Sequence, residues 1–329
     1  MTDQTKKIGI LWGGGLGDLL MLRPLLAAAH ADAKLATYFC TTALHATELY
    51  KEFCSPTTVV QFPRNARDLL PIIKKWRHFF DLLYLGPYPS LKTQILARLL
   101  QPKKIWCKRH RQEHPFMLEQ VLCDCAALGL RRETAAADFI SFLPWPVDSA
   151  EVLFPEKRPF IVLHAGAKQR WETTRWPAEN WALLTNRIIH DTSCDVCFVG
   201  VAAEELIIDR ITAGLSAAAR GRVRRCISWP VRDTACLISK SSGVICHNSG
   251  ILHVAAFLGK KTVCITGSSA RYWQPPYPWV HNITSAACTR ACNRYRCPIP
   301  FYRAKCIKSI TVEDVWQASR EQGLLEEAH

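Results

Sequence analysis

Short apolar runs alternate with longer amphipathic stretches twice along this chain, and a proline-rich break separates the two series. In the first series the strand-like runs are IGILW (8–12), ATYFCTT (36–42), VVQF (59–62), DLLYLG (81–86) and KIWC (104–107). Helical stretches follow them, from Leu19 and near 45–53, 66–79, 91–100 and 115–128. The alternation halts over 141–159, which holds four prolines. It restarts with FIVLHAG (160–166), DVCFVG (195–200), GVICHN (243–248) and TVCITG (262–267). Helices are expected near 178–190, 203–215, 250–258 and 312–322. Strand–helix alternation of this kind implies a parallel sheet with helices on both faces. The expected fold is therefore α/β, with two Rossmann-like doubly wound domains over 1–150 and 151–329, the last helix free to pack back on the first domain. Such sheets bind ligands beyond the carboxyl ends of their strands, and two of them facing each other place the substrate site in the cleft between.

Composition narrows the function classes. Apolar residues make up 49% and charged residues 21%, which excludes wholesale disorder. The apolar run Leu19–Ala29 is cut by Arg23, so no run reaches the length of a membrane span. The opening MTDQTKKIGILWGGG lacks a leader-like apolar core, and a cytoplasmic protein is expected. The formal charge is +14, and it is uneven. Arg64 to Arg111 holds twelve basic residues and two acids, Asp68 and Asp81; Ala286 to Val312 holds six basic residues and no acid. Clustered cations point to an anionic partner: nucleic acid, anionic lipid or a phosphorylated substrate. The 15 cysteines, in a long chain with no export signal, are expected as reduced thiols, with Cys40, Cys197, Cys246 and Cys264 acting as small apolar strand residues.

Three segments carry chemistry. GGGLGD (13–18) follows the first strand, and its glycines let a backbone approach a ligand closely where a helix begins. It is neither a dinucleotide fingerprint nor a Walker loop. It supplies a carboxylate, Asp18, which could equally cap the helix. HAGAKQRWETTRWP (164–177) packs Lys168, Arg170, Thr173, Thr174 and Arg175 before a helix, a composition suited to a diphosphate. CHNSGILH (246–253) puts Asn248, Ser249 and Gly250 at a strand–helix junction, with His253 one turn further on. Free N–H groups and the helix dipole there favour an anion.

Taken in order, these motifs resemble the family 9 glycosyltransferases, the lipopolysaccharide heptosyltransferases, whose architecture is GT-B. The resemblance implies Asp18 as the catalytic base. It places Arg175, with Thr173 and Thr174, on the donor diphosphate, where the charge of Lys168 is also expected, and through VGVAAEE it places Glu204 or Glu205 on the nucleoside ribose. HNSGILH resembles the family's D-[ST]-G-x-x-H segment and puts Asn248, Ser249, Gly250 and His253 on the donor. Asn248 replaces the usual aspartate, keeping amide hydrogen bonding and losing the charge. Acceptor contacts are expected at Gly15, Gly17, Lys103, Lys104, Arg109 and Arg111. The implied reaction is inverting transfer of a heptose or similar sugar from a nucleotide diphosphate, ADP-heptose first, to an anionic lipopolysaccharide core or another glycan or protein. Peripheral contact with the cytoplasmic face of the inner membrane would follow from a lipid-linked acceptor.

The chemistry agrees with the residues. One base must take the acceptor proton, and cations with N–H dipoles must stabilise the departing diphosphate. No Asp-x-Asp occurs, so the chemistry is expected to need no cofactor. Cys288, Cys292, Cys297 and Cys306 form a separate cluster that matches a structural zinc or iron site in number, though without tight C-x₂-C spacing. Two other classes remain at this point. A non-catalytic nucleotide-sugar or glycan-binding protein is favoured by Asn248 and opposed by Asp18 with Arg175. A nucleic-acid-binding protein is suggested by charge alone, with no recognisable motif, so no nucleic-acid partner is expected.

Overall fold

The computed structural model describes residues 5–12, 15–41, 58–63, 65–86, 89–107, 116–130, 158–166, 175–267, 273–285, 287, 297 and 304–325. The chain divides into two compact units, Met1–Leu143 and Pro144–His329.

The N-terminal unit holds β1 (Lys6–Trp12), α1 (Leu16–Ala31), β2 (Leu35–Thr41), β3 (Thr58–Gln61), α2 (Ala66–Trp76), β4 (Leu82–Tyr84), α3 (Leu91–Leu100), β5 (Lys104–Trp106) and α4 (Met117–Ala127). Its sheet runs β3-β2-β1-β4-β5, and every pair is parallel. The order reverses direction between β1 and β4, so β1 ends at the switch point of the sheet. β1 is central because Ile8, Ile10, Leu11 and Trp12 are all buried. A side chain at Gly9 would press into Leu83 and Phe80, which fixes a glycine there. α2 and α3 share one face of the sheet, where Ile73, Leu96, Ala97 and Leu100 pack on Leu11, Cys40, Val60 and Leu83. Tyr84 donates to Asp124 over 2.7 Å and Gln120 donates to it over 3.1 Å, which satisfies a buried carboxylate.

The C-terminal unit holds β6 (Phe160–His164), α5 (Ala178–Asp191), β7 (Asp195–Gly200), a 3₁₀ turn (Ala202–Glu204), α6 (Glu205–Ala213), α7 (Ala217–Gly221), β8 (Val223–Ile227), α8 (Val231–Lys240), β9 (Gly243–His247), α9 (Gly250–Phe257), β10 (Thr262–Ile265), β11 (Val280–Ile283), α10 (Lys305–Lys308) and α11 (Val312–Glu321). The parallel sheet runs β11-β10-β9-β6-β7-β8, and the order reverses between β6 and β9. β6 and β9 are buried along their whole length, as central parallel strands must be. Trp176, Trp181, Val315 and Trp316 belong to one core cluster with these strands, so α11 packs within this unit.

Two strands escape a reading by apolar runs. β8 (VRRCI) and β11 (VHNI) are edge strands, where Arg224, Arg225, His281 and Asn282 stand in place of a continuous apolar run. α1 begins at Leu16, three residues before the expected Leu19, because Gly15 and Asp18 form its cap. The helix expected over 45–53 lies outside the described residues. Cys40, Cys197, Cys246 and Cys264 are all buried, and burial raises the Cys40 thiol pKa well above its ordinary value.

Candidate functional site

In the C-terminal unit, the ends of β6, β7 and β9 bring three of the expected donor residues together with two histidines that motif spacing did not single out. His164 closes β6. Its Nδ1 lies 3.2 Å from the Ser249 hydroxyl, and its Nε2 lies 3.3 Å from Glu204 Oε2. Glu204 also accepts from the Val201 amide at 3.0 Å. Burial pushes the Glu204 carboxyl up, but the bonds from His164 and Val201 outweigh it and leave it below its ordinary pKa. Glycines give this carboxylate room. A Cβ on Gly166 would overlap the Glu204 carboxyl, and one on Gly200 would come within 2.8 Å of Oε2. Glu205, next in sequence, is exposed at the start of α6.

Ser249 occupies the N-cap position of α9 in extended conformation, yet its side chain does not cap the helix. It reaches His164 instead. Among the described residues, the first-turn amides of α9 are thus left without a capping side chain, at the switch point of the sheet. Asn248 and Gly250 flank Ser249 and are half-buried. His253 lies one turn on, buried, and burial lowers its pKa to about 4.

His247, the last residue of β9, bonds to the described residues on either side of the polar segment after β6. Its Nε2 accepts from the Trp176 amide at 3.0 Å, and its Nδ1–H donates to the Gly166 carbonyl at 3.2 Å. That pair of bonds requires the neutral ring. Burial first of all, with the charges of His164 and Arg175, lowers its pKa to about 3, against the Gly166 carbonyl and Glu204. Trp176 is held in turn by its indole N–H on the Ile310 carbonyl (2.7 Å) and by an edge contact with Trp181. Arg175 is half-buried beside this staple. Lys168, Thr173 and Thr174 lie outside the described residues.

The two buried histidines, His247 and His253, predict a specific acid response. Their folded pKa values of about 3 and about 4 lie below the ordinary 6.5, so the unfolded chain binds more protons below pH 6.5. Stability is complete above that pH and falls as pH drops, by ~1.4 kcal/mol per unit for each histidine. The melting temperature should therefore decline between about pH 6.5 and about 4.5, before ordinary carboxylates titrate. A His253→Asn variant should show a shallower slope, and an equal slope would contradict this assignment.

In the N-terminal unit, Asp18 sits at the third position of α1. Its Oδ2 accepts from the Gly15 amide at 2.7 Å, so the carboxylate is held in place by the glycine loop itself. Gly15 is half-buried and Gly17 buried. Lys103 is exposed and ion-paired with Asp81 at 2.6 Å. That bond and the Lys7 amide hold the Asp81 carboxyl below its usual range. Lys104 is exposed beside the Trp106 ring. Arg109 and Arg111 lie outside the described residues.

Among the described residues, no group of three or more His, Cys, Asp or Glu side chains is placed to hold a metal. Cys306 is buried and Cys297 half-buried, while Cys288 and Cys292 lie outside the described residues. No described helix is long and apolar enough to cross a membrane.

The sequence model of glycosyltransferase family 9 (heptosyltransferase) matches residues 126–302, more than half of the chain. The chain belongs to this family. Lipopolysaccharide heptosyltransferase 2 of Escherichia coli is 27% identical over 177 residues, covering 50% of this chain and 50% of that protein. The chain therefore spans about half the length of this relative in the matched region. Among solved structures, a family 9 glycosyltransferase from Veillonella parvula superposes with a TM-score of 0.77 at 14% identity, over 98% of both chains. The E. coli ADP-heptose lipopolysaccharide heptosyltransferase II superposes with a TM-score of 0.72 at 18% identity, over 96% of this chain and 98% of that one. Two parallel sheets, each flanked by helices, and these neighbours identify the fold as GT-B. Membership of family 9 gives His164 and His247 a context: both stand at strand ends beside the donor motifs of the family resemblance.

Proposed function

We propose that this family 9 glycosyltransferase moves a heptose or similar sugar from a nucleotide diphosphate, ADP-heptose first, to an anionic lipopolysaccharide-core or other glycan acceptor, with inversion. The observation that carries the reading is the start of α9. Its cap residue is bonded to His164 rather than to its own helix, at the switch point of the C-terminal sheet. Such a helix start accepts a diphosphate through backbone N–H groups and its dipole. Arg175 supplies the nearby positive charge, and the departing diphosphate gains most from it as charge develops. Asp18, fixed by the Gly15 amide, is the base that takes the acceptor hydroxyl proton. The relatives are heptosyltransferases, which supports the sugar class, and the E. coli protein of similar fold is an ADP-heptose heptosyltransferase.

A thermal-shift panel of nucleotide diphosphate sugars tests the donor. A true donor held at about 100 times its dissociation constant should stabilise the protein by about 2.7 kcal/mol. A panel without a shift for ADP-heptose, but with one for a uridine or guanosine sugar, would change the donor. Replacing Arg175 by alanine should weaken ADP binding roughly 10- to 100-fold, the loss of one charged hydrogen bond, and should slow transfer as well. Unchanged calorimetric affinity would move the diphosphate elsewhere.

Protein groups, rather than a bridging metal, neutralise the diphosphate in this reading. Initial transfer rates are therefore expected to withstand EDTA in a short assay with elemental analysis alongside. Rapid loss restored by Mg²⁺ or Mn²⁺ alone would refute that. Stoichiometric zinc or iron with undisturbed initial rates would instead assign Cys288, Cys292, Cys297 and Cys306 a structural role.

A further inference from the structure

The outward faces of α2 and α3 combine large exposed apolar side chains with a cationic rim. On α3, Leu91 is 70% exposed, and Ile95 and Leu99 are each 47% exposed. At ~100° per residue, Arg98, Leu91, Ile95, Leu99 and Lys92 follow one another in that order across the exposed face. The three apolar side chains thus lie in the middle, with one cation at each margin. The opposite face of the helix, Leu96, Ala97 and Leu100, is already spent on the core. α2 packs beside α3 on the same side of the sheet and presents Leu70, 68% exposed, together with Arg67, Lys74 and Lys75. The sole acid of the two helices, Asp68, is engaged with the Asn65 cap.

We propose that this α2–α3 face docks on the surface of an anionic phospholipid bilayer. Leu70, Leu91, Ile95 and Leu99 would enter the boundary between headgroups and acyl chains. Arg67, Lys74, Lys75, Lys92 and Arg98 would lie at the level of the phosphates. Charge complementarity decides for this occupant. A second copy of the same face would set these cations against their own kind, which opposes association. The inference rests on the proposed function for its purpose, since a lipid-linked acceptor requires an enzyme at the bilayer, but binding is measured with no donor present.

The test is co-sedimentation of the full chain with vesicles of phosphatidylcholine alone or of phosphatidylcholine mixed with phosphatidylglycerol. Binding is expected only to the anionic vesicles, and it should weaken as salt rises. Ile95→Glu with Leu99→Glu should reduce it by about tenfold or more, because apolar burial is replaced by charge. Lys74→Gln with Lys92→Gln should reduce it roughly fivefold for each charge removed. Both variants alter exposed positions and should keep the wild-type melting temperature and ADP affinity. Equal binding to both vesicle types, or full binding by both variants, would overturn the proposal. A wild-type dimer dissolved by Ile95→Glu, with no vesicle binding, would assign the face to a second copy instead. Absent vesicle binding with intact transfer to a soluble acceptor counts against docking alone; intact vesicle binding without transfer counts against the proposed activity alone.

Discussion

Asp18→Asn is expected to lower transfer by ~10²–10⁴-fold while leaving ADP-heptose affinity close to that of the parent. The amide can still accept from the Gly15 N–H, so the cap that starts α1 survives and the fold should not change. What disappears is a group able to take a proton. The measurements are single-turnover transfer and calorimetric donor binding on one preparation. More than a third of the parental turnover would reduce Asp18 to a helix cap. A parallel fall in donor affinity and melting temperature would likewise make its role structural.

Gly166→Ala is expected to cost both stability and donor affinity. Its new methyl would fall on the Glu204 carboxyl. Displacing that carboxylate breaks its bond to His164, and His164 is what holds the Ser249 hydroxyl away from α9. Overpacking alone costs ~1–3 kcal/mol. Donor affinity should fall with stability, because the same displacement disturbs the proposed diphosphate site. Glu204→Ala removes the obstacle, so the double variant should be more stable than Gly166→Ala alone. Denaturant titration of the parent, both single variants and the double variant gives the coupling energy. Additive losses would show that the glycine is needed for another reason.

Much of this was legible in the sequence because parallel strands buried on both faces leave uninterrupted apolar runs. FIVLH, DVCFVG and GVICH mark β6, β7 and β9 nearly to the residue. β8 and β11 were not legible, since an edge strand has one neighbour and tolerates Arg, His and Asn. Motif spacing singled out Ser249, and the family resemblance offered two adjacent glutamates for the nucleoside ribose. Their surroundings differ in a way the sequence does not show: Glu204 pairs with His164, whereas Glu205 is exposed on α6. His164 and His247 sit inside strand runs, where a histidine reads as an ordinary core residue. What gives them meaning is a strand order that places β6 beside β9, although two strands, β7 and β8, and the helices α5 to α8 separate them along the chain. The Gly166–Glu204 contact is equally non-local.

The imidazole of His247 ties Gly166 to Trp176, the two borders of the polar segment that carries Lys168, Thr173 and Thr174. Its own place is set by β9, so these two border contacts are made from outside the segment. Randomised libraries over 167–174 therefore leave both of these border contacts in place. Libraries that include Gly166, Trp176 or His247 should instead be dominated by misfolded members.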